Sequence, residues 1–354
     1  MSTNPSPSRR SFMGSAGAGL AALTATGSTN AATPNTQDNS KIPGEIMVAS
    51  LSLQKFRDHT SIKQRITELT RRMDRVAAYQ PDIICLPEIC HAAWILKDES
   101  KAEIAAIAEE VPGPFCEQFG KYAKEHQCYI ICPIWTKKDG QVFNTAVLIG
   151  RDGNVVGEYH KIHPTEGEVD KNTQPGPMQP QVFQTDFGPI GIQICFDAIW
   201  PEGWSALKQA GARMVFWPSA YHGGRMLNAH ALINKYHIVA STWQDMPRIV
   251  DMTGLDRQDL ASEPNYAYGP NWICGTVNME KQILHLDNQL KKLHEIQVQY
   301  GDQVRIIIHL PEDHATLESL SSDITVADIM RKYELITWDQ YHQRATGAQD
   351  RARI

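Results

Sequence analysis

A thiol, an ammonium and a carboxylate each close an apolar run in this chain of 354 residues. Cys195 ends Ile192-Gln193-Ile194-Cys195, with Phe196-Asp197 beyond it and Pro201-Glu202-Gly203 following. Glu88 ends Asp82-Ile83-Ile84-Cys85-Leu86-Pro87-Glu88, and Lys161 ends Val155-Val156-Gly157-Glu158-Tyr159-His160-Lys161. Short apolar runs bounded by turn residues read as buried strands, which puts all three side chains where a sheet edge meets a loop. A thiol nucleophile needs a base to take its proton and a cation to hold the oxyanion it creates. Taken singly, each residue has a plainer reading. A lone Cys is usually a small core hydrophobe, a Lys at a loop edge is usually solvated, and a Glu after Pro is often a loop or first-turn carboxylate. The three together favour chemistry, with Lys161 expected to lower the thiol pKa.

The same segments resemble the nitrilase, or carbon–nitrogen hydrolase, superfamily. The resemblance rests on Leu86-Pro87-Glu88, on His160-Lys161-Ile162-His163-Pro164-Thr165-Glu166-Gly167-Glu168, and on Gly191-Ile192-Gln193-Ile194-Cys195-Phe196-Asp197 with Pro201-Glu202. It covers residues 46–310. It implies a four-layer αββα sandwich of two mixed sheets, with outer helices that pair two chains into an eight-layer homodimer or a higher homo-oligomer. It implies Glu88 as proton carrier, Cys195 as nucleophile, and Lys161 with the Phe196 N–H as oxyanion donors. A second glutamate would orient Lys161; the register favours Glu168, with Glu166 as the other choice. No metal or other cofactor is implied.

The implied reaction hydrolyses a non-peptide carbon–nitrogen bond of a small molecule through a Cys195 thioester. Nitrile-cleaving members typically carry Cys-Trp-Glu, whereas this chain has Cys195-Phe196-Asp197, closer to amidases and carbamoyl-amide hydrolases. Pro164-Thr165 points the other way, so a nitrile substrate stays open as the alternative. A catalytically inactive binding relative is a third possibility. Trp217, Tyr221 and His222 follow a strand and are expected to line the pocket, with core packing the plainer reading for the aromatics. His222, His230 and His237 as ligands of a metallohydrolase match no standard spacing. A papain-like enzyme would need its Cys near a helix start.

Hydrophobic residues make up 42% and charged residues 21% of the chain, ordinary for a globular enzyme. A net charge of -6 leaves no basic footprint for nucleic acid. No apolar stretch has the length of a membrane span. Residues 1–32 read as a twin-arginine signal peptide carrying Ser8-Arg9-Arg10-Ser11-Phe12. The expected location is therefore periplasmic or secreted, or cytoplasmic if the leader does not function. Residues 33–43 read as a linker. Seven cysteines leave at least one unpaired, and all but Cys195 are expected to be buried hydrophobes.

The positioning elements alternate. Strands are expected at 45–53, 82–86, 128–135, 142–149, 154–159, 182–185, 190–195, 213–217, 237–243, 272–277, 283–286 and 303–310. Helices are expected at 62–76, 114–125, 202–210 and 226–236. Cys128, Ile130 and Cys132 should share one sheet face. Residues 44–310 would form the hydrolase domain. Residues 311–354 would be a helical extension, helical over 316–341, either reaching a partner subunit or capping its own domain.

Overall fold

A computed structural model describes residues 42–53, 61–96, 99–244, 247–263 and 270–353. The leader and nearly all of the 33–43 linker lie outside the described residues. The first half runs β1 (Glu45–Leu51), α1 (Ile62–Ala77), β2 (Ile83–Cys85), α2 (Lys101–Ile107), α3 (Pro114–His126), β3 (Tyr129–Lys138), β4 (Gln141–Ile149), β5 (Val155–His160), α4 (Glu166–Asp170), β6 (Phe183–Thr185) and β7 (Gly188–Ile192). The second half runs α5 (Pro201–Gln209), β8 (Met214–Ser219), α6 (Gly224–Asn234), β9 (His237–Thr242), β10 (Arg248–Val250), β11 (Ala261–Ser262), β12 (Trp272–Asn278), β13 (Gln282–His285), α7 (Leu290–Tyr300), β14 (Val304–His309), β15 (His314–Ser319), α8 (Val326–Lys332) and α9 (Trp338–Ala352).

Two mixed sheets carry the fold. One orders its strands β11-β12-β1-β2-β3-β4-β5 and the other β10-β9-β8-β7-β6. Strand alternation sorts the side chains into layers. Ile46, Val48, Ile83, Cys85, Ile131, Ala146 and Leu148 from the first sheet meet Ile190, Ile192, Met214, Phe216 and Val239 from the second, forming the inner core. Ala49, Leu51, Ile84, Ile130, Cys132 and Ile134 face the other way, against Leu69, Met73 and Val76 of α1 and Phe115, Phe119 and Ala123 of α3. Val215, Trp217, Ile238 and Ala240 pack outward on Trp204 and Leu207 of α5 and Leu227 and Ala231 of α6. The layers are therefore αββα. Cys128, Ile130 and Cys132 do share the face toward α1 and α3, and all seven cysteines are buried and unpaired.

Two expectations about the C-terminal part change. A third sheet, ordered β13-β15-β14, contains the strands expected at 283–286 and 303–310. β15 pairs with β14 over Val304↔Ser319 to His309↔His314, so a boundary at residue 310 cuts through a sheet. The helix expected over 316–341 is instead β15, α8 and a separate α9. Of the helical spacing at Ile324, Ala327, Ile329 and Tyr333, α8 holds only Ala327 and Ile329, with Ile324 before it and Tyr333 as its C-cap, and Thr316 and Leu317 alternate as a strand against Ile307 and Ile306. Leu284, Leu293, Ile296, Leu317, Val326 and Ile329 give this part its own small core. It is tied to the sandwich by Lys208–Asp339 at 2.6 Å and by the Lys235 ammonium over the Trp338 ring. Among the described residues, no helix is long and apolar enough to cross a membrane.

Candidate active site

The strands stop short of the chemistry, and irregular backbone carries it the last few residues. β2 ends at Cys85 and β7 at Ile192, not at Glu88 and Cys195 as the apolar runs suggested. Cys195 opens a 3-10 turn, Cys195–Ile199, with φ of 46°. Ile89, next to Glu88, has the same φ of 46° and Trp94 has 61°. Left-handed backbone strains a non-glycine residue, most of all a β-branched one, by roughly 1–3 kcal/mol, and persists only where surroundings enforce it. Around Glu88 the enforcement is visible. Arg65 of α1, wholly buried, donates to Cys90 O at 3.0 Å and Ala93 O at 2.6 Å. Trp243 Nε1 donates to the Glu88 carbonyl. Around Cys195, Trp217 Nε1 donates to the Cys195 carbonyl at 3.0 Å.

The charged side chains meet in the buried interior. Lys161, 1% exposed, donates from Nζ to Glu88 Oε1 at 2.8 Å and to Glu168 Oε2 at 2.7 Å. Asn144 Nδ2 bridges the same two carboxylates, at 2.8 Å to Glu88 Oε1 and 2.8 Å to Glu168 Oε1. The second oxygen of Glu88 accepts from the Ala220 N–H at 2.8 Å. Glu168 is fixed by local structure. Thr165 and Glu168 form a capping box at the start of α4, with Thr165 N–H donating to Glu168 Oε2 at 2.8 Å. Glu166, two residues earlier and so on the other face of α4, is exposed, so geometry places Glu168 against Lys161.

Burial opposes the Lys161 charge, yet the surrounding Glu88, Cys195 and Glu168 charges overcome it and hold the lysine strongly cationic. Burial likewise opposes ionisation of Glu168, and Lys161 reverses this and holds it below the usual carboxylate range. Glu88 ends above that range, because its complete burial and the Glu168 charge outweigh Lys161. Cys195 is pushed up to about 12, first by burial and then by Glu88, against the pull of Lys161. Lys161 does pull the thiol pKa down as expected, but burial and the Glu88 charge reverse the net direction. The resting thiol is neutral.

The expected pocket residues separate. Tyr221 is near the cluster and partly exposed, and burial followed by the Cys195 and Glu88 charges pushes its phenol up to about 12. His222 is exposed. Trp217 does not line a pocket: alternation along β8 sends Phe216 inward and Trp217 out to the α5/α6 layer, where it is wholly buried. The three histidines weighed as metal ligands lie apart in their bonding. His230 Nε2 bonds Ala198 O at 2.8 Å and stacks on Trp204, while His237 faces Asp251. Asn144 was absent from the expected set, although an amide in the middle of Phe143-Asn144-Thr145-Ala146-Val147 is an uncommon strand residue and a usable signal. Asp197, taken from sequence as a mark of substrate class, is wholly buried and has no surface to offer a substrate.

The carbon-nitrogen hydrolase family profile matches residues 47–244. Relatives include beta-ureidopropionase of Arabidopsis thaliana, 34% identical over 40% of this chain and 36% of that protein. They include deaminated glutathione amidase of Homo sapiens, 28% identical over 49% and 58%, and omega-amidase NIT2 of Mus musculus, 24% identical over 73% and 94%. The chain thus spans little more than half, or less, of the first two relatives. Among solved structures, Saccharomyces cerevisiae Nit3, described as a member of the nitrilase superfamily, aligns with a TM-score of 0.58 at 15% identity over 73% of this chain and 96% of that one. The profile match takes in more than half of the chain and every element that brings Glu88, Lys161 and Cys195 together, and on that ground the chain belongs to the carbon-nitrogen hydrolase family.

Proposed function

We propose that this chain hydrolyses an amide or N-carbamoyl bond of a small molecule, with Cys195 as nucleophile. The observation that carries the reading is the pair of carboxylates bridged by Lys161 and Asn144 beside a thiol held in a left-handed turn. Beta-ureidopropionase and the amidases among the relatives are named for chemistry of this kind.

Substrate binding brings a carbonyl carbon to Sγ. The thiol proton passes to Glu88 as the sulfur–carbon bond forms, so no free thiolate has to exist beforehand. Two of the three Lys161 N–H groups are committed to carboxylates, and the third, with the Phe196 N–H, meets the oxyanion. Collapse expels the amine, which takes the proton from Glu88. Water then loses a proton to Glu88 and attacks the thioester, and the acid leaves as the proton returns to sulfur. Glu168 and Asn144 keep Glu88 and Lys161 aligned throughout. The outer face of α6 exposes Met226 and Ile233, which supports pairing of two chains through the outer helices. Ser8-Arg9-Arg10-Ser11-Phe12 supports export of the folded enzyme by the twin-arginine route.

The amide reading is tested by kcat/KM for an amide and a nitrile bearing the same side chain. The amide is expected to win, and Cys195→Ala to abolish its turnover. A tenfold preference for the nitrile, about 1.4 kcal/mol in the barrier, would establish the nitrilase alternative. Turnover that survives Cys195→Ala would remove the thiol mechanism altogether.

Glu168→Gln should cut kcat at least tenfold, because it removes a charge from a buried Lys161, whereas the exposed Glu166→Gln should stay within about twofold of wild type. The opposite order in steady-state kinetics would reassign the second glutamate.

Activity needs Glu88 ionised, and its pKa lies above the ordinary carboxylate value. The reactive form is therefore present above that pKa and lost as pH falls through it. The acid limb of kcat/KM should inflect above 4.5, and no rise should follow thiol ionisation between pH 8 and 10, since that pKa is about 12. A rate that climbs through pH 8 to 9 would mean a thiolate mechanism instead.

Replacing Arg9 and Arg10 together with Lys should leave the precursor in the cytoplasm of an expressing bacterium. Undiminished recovery of that variant from the periplasm would refute export by this route.

A further inference from the structure

The two halves of the site descend from different sheets. Lys161 follows β5 of the seven-stranded sheet, and Cys195 follows β7 of the five-stranded one. Asp197 joins them. Its Oδ2 accepts from the Tyr159 hydroxyl at 2.8 Å and from the Ile194 N–H at 2.9 Å. Its Oδ1 accepts from the His163 N–H at 2.8 Å and from His163 Nδ1 at 3.0 Å. Tyr159 and His163 lie two residues before and two residues after Lys161, and Asp197 lies two residues after Cys195. The contact with His163 Nδ1 adds a side-chain tie to the backbone one on the same oxygen. The imidazole is held flat against Trp200, at 4.1 Å and 5° between ring planes. Asp197 is wholly buried, so all of its bonding capacity is spent inside the protein.

We propose that Asp197 is a positioning residue that sets Lys161 against Cys195 across the gap between the sheets, rather than a determinant of substrate choice. The proposal rests on Cys195 and Lys161 acting together as described above. The oxyanion that forms on the substrate carbonyl oxygen as sulfur attacks must land within hydrogen-bond reach of the Lys161 ammonium, and a misplacement of about 1 Å costs on the order of 100-fold in rate. Simple alkylation of the thiol forms no oxyanion and does not call on Lys161. The two reactions therefore report separately on whether the thiol is accessible and whether it is registered against its cation.

The test uses the full chain with two probes of Cys195. Acylation is followed as the p-nitrophenolate burst from p-nitrophenyl acetate, and alkylation as incorporation of iodoacetamide, with Cys195→Ala as the blank. In Asp197→Asn, an amide N–H must face the Ile194 or His163 backbone N–H, so at least one tie is lost. Acylation should fall about 100-fold while alkylation stays within about threefold of wild type. Tyr159→Phe removes one donor and leaves the backbone ties, so acylation should fall several-fold with alkylation unchanged. Acylation within threefold of wild type in Asp197→Asn would overturn the proposal, as would an equal loss of both reactions, which would mark Asp197 as general scaffolding. If Asp197→Asn does not fold, Tyr159→Phe decides: unchanged acylation overturns the proposal. Absence of ammonia release from amides by an enzyme that still acylates would defeat the substrate reading alone, and acylation that persists in Cys195→Ala would defeat the nucleophile and the positioning role together.

Discussion

A single buried ammonium organises this molecule's reactive centre. Lys161 sits in the interior between two carboxylates, and a charge there is tolerable only because each hydrogen bond it makes is to an opposite charge. Removing one partner of such a buried set typically costs about 3–5 kcal/mol. The arrangement also explains the electrostatics of its neighbours. Complete burial, with the Glu168 charge beside it, outweighs Lys161 and holds Glu88 above the ordinary carboxylate range. Burial and the Glu88 charge likewise outweigh the pull of Lys161 on Cys195.

The sandwich makes this cluster possible because its parts come from both sheets. Glu88 and Lys161 leave the seven-stranded sheet and Cys195 leaves the five-stranded one. Contacts across the gap are polar and specific: Glu88 Oε2 to the Ala220 N–H, and Asp197 to Tyr159 and His163. The apolar layer formed by Ile83, Ile131, Ile192, Met214 and Phe216 holds the sheets together, but non-directional burial fixes separation better than register. The polar ties supply the register. Left-handed backbone at Cys195 and at Ile89, next to Glu88, accompanies the turn of the chain out of each sheet.

Much of this was readable in the chain. The apolar runs, the positions of α1, α3, α5 and α6, and the shared face of Cys128, Ile130 and Cys132 follow from periodicity, because strand and helix repeat at 2 and 3.6 residues whatever the tertiary context. The motif residues Glu88, Lys161 and Cys195 were legible because charged and nucleophilic side chains at the ends of apolar runs are costly unless used. Glu168 was legible in principle from its Thr-x-x-Glu capping box, which is local chemistry.

Other features depended on partners far away in sequence. Residues 314–319 look as helical as their surroundings until β14 offers a strand to pair with, since β structure is decided by what lies alongside. Trp217 could have lined a pocket or packed a core; which side of β8 faces α5 and α6 settled it. The direction of the Cys195 pKa reversed because it is a sum over burial and the two charges of Glu88 and Lys161, whose distances no spacing encodes. Asp197 shows the division most plainly. Its identity and its place two residues beyond Cys195 were in the sequence from the outset, but its bonds to either flank of Lys161 exist only once the two sheets have closed on each other.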